Sequence, residues 1–460
     1  MRTEKDSLGE KEIPDTAYYG IQTARALENF PVSGIREHPA FIRSYVWIKR
    51  AAAEANRDLG LLDAARASAI LRACDEILGG ALQDQFVVDV FQAGAGTSFN
   101  MNVNEVVANR ALELMGKKRG DYASLHPNDH VNMAQSTNDT FPTAMHLSAL
   151  LLHRRAQSAL ERLISSLRRK GEEFAEVIKS GRTHLQDAVP VTLGQEFTAY
   201  AGALERSAKF LKAAAAELLE LPLGGTAVGT GLNAVPGYRQ RAMQYLSSYS
   251  GFPLKPTPDM REGMQSRLAI AAMASSLKLL ALELTRIAND IRLLASGPLT
   301  GLDEIVLPAV QPGSSIMPGK VNPVMAECLN MIAFYVIGSE TVIALASQAG
   351  QLELNVMMPV MIYSLLQSME VLANYLPVFA ERCIDGIRPN VERCRRYYET
   401  SPSLATVLNP VIGYNAAAEV VKQALRESRS IIDVVRERGI LGEEELQKLF
   451  SRANVTGTGE

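Results

Sequence analysis

From Phe141 onward the chain settles into long helical periodicity. Met145, Ala149, Leu152, Ala156, Ala159, Leu163 and Leu167 recur at steps of four and three, the seam of a helix packed in a bundle. Asn138 or Asp139 is placed to cap this helix, and Pro142 suits its first turn. A second long helix is expected over about 193–221 and a third over about 262–296, stopping at Gly297-Pro298. At roughly 1.5 Å per residue the third spans about 50 Å. Past Glu262 its only charges are Arg267, Lys278, Glu283, Arg286, Asp290 and Arg292, so it is apolar nearly all round and needs neighbours on every side. A fourth is expected from 324 to about 349 and a fifth over about 359–384. Five such helices predict a bundle that continues across subunits, and hence a homo-oligomer.

The fold class expected is mainly all-α. An N-terminal domain, 1–140, mixes short helical runs with turns, and few strand patterns occur anywhere. The central long-helix bundle domain covers 141–390. A small C-terminal helical domain, 391–460, opens on the loop-like "SPSLATVLNPVIG". It continues through three short helices, "NAAAEVVKQALRES", "SIIDVVRERG" and "GEEELQKLF", to a frayed end, "NVTGTGE".

Composition narrows the classes. The 460 residues are 47% hydrophobic, enough for a large core and more than one domain. A net charge of −3 gives no basic field for nucleic acid or an anionic membrane. The apolar run "MIAFYVIGSETVIALASQ", 331–348, has Gly338, Ser339 and Glu340 at its middle, which predicts a buried core helix, not a membrane span. Cys74, Cys328, Cys383 and Cys394 have neither zinc-site nor disulfide spacing, and the polar N-terminus "MRTEKDSLGEKEIPD" has no signal-peptide core. A reduced, cytoplasmic protein is the expectation.

Polar segments interrupt the helices. Gly94-Ala95-Gly96-Thr97-Ser98 can wrap an anion with backbone N–H groups, but no βαβ unit surrounds it and no Gly-Lys-Ser/Thr follows. Ser136-Thr137-Asn138-Asp139 holds more capping residues than one helix start needs, where the dipole favours an anion. Thr183 and His184 sit among turn residues before the second long helix. His126 and His130 lack the supporting ligands of a metal site. "GGTAVGTGLN", 224–233, reads as a tight connection. In "GSSIMPGKVNP", 313–323, Met317-Pro318-Gly319-Lys320 has type II turn chemistry, and Asn322-Pro323 starts the fourth helix. The Lys320 charge, the Asn322 amide and a helix N-terminus suit a carboxylate there, with Ser314 and Ser315 after Gly313 on the flexible side.

"GSSIMPGKVNP" resembles the signature of the fumarase/aspartase superfamily. So, in the right order, do "DTAYYGIQTARALENF", "GAGTSFNMNVNEV", "NDHVN", "QSTND", "GRTHLQDAVPVTLGQEF", "GGTAVGTGLN" and "LELNV". Class II fumarases read Gly-Thr-Gln at Gly96-Thr97-Ser98 and Ser-Ser-Asn-Asp at Ser136-Thr137-Asn138-Asp139. These positions, with "AYYG" and His130 in "NDHVN", are similar to the aspartase branch (aspartate ammonia-lyases). Two places depart from it: Met358 in "NVMMP", where aspartases carry an acid and fumarases a basic residue, and "PDMREGMQSR" at 258–267.

The resemblance implies a fumarase/aspartase-like fold and reversible anti elimination of ammonia from L-aspartate to give fumarate. A class II fumarase, or a C–N lyase with another amine substrate, is the alternative. It implies Ser314 as the base for the C3 proton. Thr97, Ser136, Thr137 and Ser315 would hold the carboxylate that becomes the enediolate, and Lys320 and Asn322 the other carboxylate. Asn138 and His184, with Thr97, would contact the amine. Thr183 joins the substrate-binding set, and Glu327 would orient or charge His184. It also implies a homotetramer with each site built from three subunits. No cofactor or metal is expected, and the partner is a small dicarboxylate, with no nucleic acid and no membrane. A non-catalytic relative would have lost these groups, and all are present.

Overall fold

The computed structural model describes residues 1–457. Helices dominate, and the strands among the described residues form two-stranded pairs. The chain divides into two compact units. The first comprises Met1–Gln157, Lys209–Leu279 and Tyr335–Leu372, and the second Ser158–Ala208, Leu280–Phe334 and Ala373–Glu460. The boundaries fall inside five long helices: Thr137–Glu173, Leu193–Glu217, Leu268–Leu294, Val324–Gln348 and Met358–Arg382.

In the first unit Ala274 and Leu277 meet Val336, Ile343 and Leu365 from two neighbouring helices. In the second, the Tyr375 hydroxyl donates to the Met325 carbonyl (2.8 Å), and the Asn330 amide donates to Asn289 Oδ1 (2.8 Å). The C-terminal helices close over their own core of Tyr398, Leu404, Leu408, Val420, Ile431, Val434 and Leu446.

The helix expected over about 262–296 is two helices, Met260–Gln265 and Leu268–Leu294. Ser266 turns extended between them, and its hydroxyl accepts the Leu268 N–H (3.2 Å), starting a new helix. Apolar periodicity runs through this break because a capping serine costs it only one position. The 331–348 run is helical but not buried within one chain: Met331, Phe334 and Leu345 are 64%, 58% and 57% exposed. The chain supplies neighbours to only part of that surface. By length and composition alone, Leu268–Leu294 and Val324–Gln348 would each be long and apolar enough to cross a membrane. Lys278 and Glu340, paired at 2.8 Å, tie the two helices together.

Residues 1–140 hold more helix than the pattern predicts, including Pro39–Asp58 and Thr97–Leu114. The second of these buries Asn100, Asn102, Asn104, Glu105 and Asn109. Amides are buried there beside Phe99, Val103, Val106, Val107 and Leu112, so burial all round the helix blurs the apolar periodicity. Pro402–Leu408 is a 3-10 segment and Asn409–Ile412 a short helix, where a loop was expected. "NVTGTGE" is helical through Val455, and its last residues, 458–460, lie outside the described residues.

Glu105 shows what the polar interior does. Its carboxylate accepts the N–H groups of Gly20 (2.8 Å), Gln22 (2.8 Å) and Thr23 (3.1 Å), and the Thr23 hydroxyl. These are the otherwise unpaired donors at the start of the Ile21–Asn29 helix. Burial raises the Glu105 pKa from 4.5 to about 7. Between those values the folded state holds a proton that the unfolded state has released, so wild-type stability falls as pH rises through this window. Glu105→Gln removes the titration. Urea unfolding of both proteins at pH 5 and pH 7.5 should show the wild type losing stability relative to the variant at the higher pH. A pH-independent difference would contradict this.

Candidate active site

In the first unit, the Gly94–Gly96 turn aims Thr97 at the head of its helix. Ala95 (φ 61°) and Gly96 (φ 82°) are successive left-handed residues. A Cβ on Gly96 would lie 1.9 Å from a ring carbon of Phe141, so only glycine lets the Thr97 and Thr137 helix starts meet. Thr97 lines a cleft with Arg25, Asn29 and Ser98.

Ser136, not Asn138 or Asp139, caps the Thr137–Glu173 helix. Its hydroxyl accepts the Asn138 N–H (3.2 Å), while its own N–H donates to Asp139 Oδ1 (2.9 Å), a reciprocal capping box. Thr137 is buried in the first turn. Asp139 Oδ2 accepts the N–H groups of Gly224 and Thr226, each at 3.0 Å, and the Asn138 amide donates to Ala227 O (2.8 Å). "GGTAVGTGLN" is thus more than a connection: it is fastened to the segment that carries Ser136, Thr137 and Asn138. Burial raises the Asp139 carboxyl to about 6 despite its three backbone donors.

Lys49 lies behind this segment. It is fully buried, and its Nζ donates to Asn100 Oδ1 (2.8 Å), Asn132 Oδ1 (2.9 Å) and Gln135 Oε1 (2.9 Å). Burial lowers its pKa to about 7, and the Asp139 charge opposes that fall. In its ammonium form this lysine, held by neutral oxygens, adds positive charge behind the Ser136–Asp139 segment. Its signal in sequence was a charge among apolar residues in "SYVWIKRAAAEA", legible only once that stretch is known to be a buried helix.

In the second unit, Thr183 and His184 stand on a β-hairpin that the sequence did not reveal. Ile178–Thr183 pairs with Gln186–Thr192, and His184 (φ 56°) with Leu185 (φ 58°) forms the two-residue tip. Such turns favour Asn-Gly, so His-Leu gave no hairpin signal. Thr183 and His184 are exposed in the single chain.

The Gly313–Asn322 loop closes on itself. The Gly313 N–H donates to Lys320 O (2.8 Å), and the Asn322 amide donates to Gly313 O (2.7 Å). Gly319 (φ 80°) and the Lys320 N–H bond to Met317 O (3.3 Å) form the type II turn. Ser314 Oγ accepts the N–H groups of Ile316 (3.2 Å) and Met317 (3.0 Å). Ser315 and Lys320 are exposed, as are Ile316 and Met317. Glu327 lies in the first turn of Val324–Gln348.

The remaining candidates have structural partners. His126 Nδ1 accepts the N–H groups of Asn128 and Asp129, and His130 Nδ1 accepts that of His126. Met358 is fully buried at the start of its helix, beside Val356, whose carbonyl accepts the Ala95 N–H (2.8 Å). The divergent stretch 258–267 packs on the 224–233 loop: a Cβ on Gly229 would lie 2.7 Å from Arg261 backbone atoms.

Hydroxyls, amides and a lysine are offered from helix starts and tight loops on a mainly helical body, donor chemistry that suits a small carboxylate. The lyase family model matches residues 9–338, and the model for the C-terminus of fumarase C matches 404–457. The chain belongs to the fumarase/aspartase superfamily of lyases. It is 50% identical over its whole length to an aspartate ammonia-lyase of Bacillus subtilis, covering 96% of that protein. It is 46% identical to one of Escherichia coli, covering 99% of this chain and 96% of that one. Among solved structures, a fumarate lyase:delta crystallin from Brucella melitensis bound to cobalt superposes with a TM-score of 0.95 at 51% identity, covering 97% of this chain and 98% of that one. A class II fumarase from Schistosoma mansoni gives 0.92 at 36%, covering 98% and 99%.

Proposed function

We propose that this lyase is an aspartate ammonia-lyase, interconverting L-aspartate with fumarate and ammonia. Full-length relatives that carry this name support the reading. The observation that carries the mechanism is at Ser314, whose Oγ already accepts two backbone N–H bonds. A serine hydroxyl is a poor base in water. Two aligned N–H donors stabilise its alkoxide, which takes the C3 proton and leaves an enediolate on the adjacent carboxylate.

That intermediate gathers two negative charges on one carboxylate. Thr97, Ser136, Thr137 and Ser315 are assigned to it, each donor being worth roughly 3–4 kcal/mol in comparable sites. Lys320 and Asn322 hold the second carboxylate. Asn138 and His184, with Thr97, receive the amine, Thr183 joins the substrate-binding set, and Glu327 orients His184. Ammonia leaves as C–N breaks, and the Ser314 hydroxyl then returns its proton to solvent. Ile316 and Met317, apolar and exposed, suit a loop that closes over substrate and expels water.

Site groups lie in both units, and the Leu268–Leu294 and Val324–Gln348 helices expose apolar faces. We assign these faces to other copies of the chain in a homotetramer, whose mass by light scattering should be about four times 50.0 kDa. A monomer at micromolar concentration would sink this part.

The assay is ultraviolet detection of fumarate from L-aspartate and, separately, L-malate. Turnover of aspartate and not malate is expected, and malate alone would make it a fumarase. The buried Met358 and the 258–267 packing favour a second reading, a C–N lyase for a different amine. Screening fumarate against a panel of amines distinguishes the two.

A further inference from the structure

The hairpin under Thr183 and His184 is bulged between Ser180 and Gly181. In a regular strand Lys179 and Arg182 would face opposite sides. The extra residue is Val189 on the facing strand, opposite Ser180 and Gly181. Gly181 permits it, because a Cβ there would lie 2.5 Å from Val189 O. The two cations converge on one buried carboxylate. Lys179 Nζ lies 2.7 Å from Glu304 Oε2, and Arg182 donates to both Glu304 oxygens at 3.0 and 2.9 Å. Lys179 also donates to both oxygens of Glu196 at 2.9 Å. The cluster is charge-balanced, and Glu304 has no exposed surface. Burying such charges adds little net stability, since desolvation offsets their attraction.

The Glu304 backbone ties a second element down. Its N–H donates to Leu294 O (2.9 Å), and its carbonyl accepts the Asn390 N–H (2.8 Å). Ile305–Val306 then pairs with Arg388–Pro389 before the chain enters the Gly313–Asn322 loop. One residue therefore braces the hairpin through its side chain and roots the loop through its backbone.

We propose that Glu304 is a positioning residue for the elimination, setting the Thr183–His184 tip through Lys179 and Arg182 while anchoring the loop that bears Ser314. The proposal rests on the ammonia-lyase reading, in which His184 receives the amine. It goes beyond that reading by making the amine side and the base-bearing loop share one anchor.

The test is Glu304→Gln in the full-length enzyme, with KM for ammonia and for fumarate measured in the addition direction. We expect kcat to fall about ten- to hundredfold, as for outer partners of functional groups elsewhere. KM for ammonia should rise while that for fumarate holds within about twofold, because the hairpin serves the amine. Adding His184→Ala should cost little more than His184→Ala alone, because both act at one tip. Unchanged kinetics, or losses that simply multiply, overturn the proposal. Should Glu304→Gln not fold, Arg182→Lys keeps the charge but loses the two-pronged contact. It should show the same ammonia-selective rise, and a wild-type KM for ammonia there overturns the idea. Wild-type enzyme inert to aspartate sinks the substrate reading and this proposal with it. Active wild type beside a kinetically normal Glu304→Gln sinks this proposal alone.

Discussion

Ser314→Ala should lower fumarate release from L-aspartate by about a thousandfold, within the range that positioned proton transfer contributes. The loss should fall on kcat, with KM for aspartate nearly unchanged, because the base acts only in the transition state. Stability should not move. The Ser314 hydroxyl accepts two N–H bonds within an exposed turn, where water replaces it as a partner at little cost. Ser315→Ala separates base from donor. It keeps the base, and its loss should be about a hundredfold, the lower end for a single oxyanion donor. Steady-state kinetics with thermal melts check both. Full turnover by Ser314→Ala removes it as the base.

Lys320→Met should produce the complementary pattern. Lys320 is exposed, and among the described residues no carboxylate pairs with it. The ammonium is therefore available to a ligand. The carboxylate assigned to it does not react and is bound equally in ground and transition states. Its loss should raise KM for aspartate about a hundredfold and lower kcat less. Lys320→Arg should restore only part, since the planar guanidinium needs a different angle of approach. Melting temperature should stay within a degree or two of wild type, because no internal partner is lost. A Lys320→Met enzyme with normal KM would remove Lys320 from the substrate site.

The two polar loops at helix starts differ in how plainly the chain announces them. "GSSIMPGKVNP" forms its turn from its own residues: Pro-Gly supplies the type II geometry, and Asn322 closes the loop on Gly313. Ser136–Asp139 is local only in part. Its capping box is written in four consecutive residues, but Asp139 also holds Gly224 and Thr226, more than eighty positions away. Lys49 had only a charge among apolar residues as its signal and Glu304 had none, because a buried charge is recognised by its partners and those are distant in the chain. The His184 hairpin went unread for a related reason. Its bulge, its Pro190 and its His-Leu tip break the alternation that marks a strand.

Sequence alone therefore determined the helical class, most of the long-helix seams, the Pro-Gly turn at 317–320 and the superfamily signatures. Each depends on spacing along a single helix or on turn chemistry a few residues long. Tertiary structure decided where the third helix breaks and which amide-rich helix is interior. It also decided which cap residue is used and which buried charges sit behind the site. Those outcomes depend on desolvation and on partners brought together by folding, which no local window of residues contains.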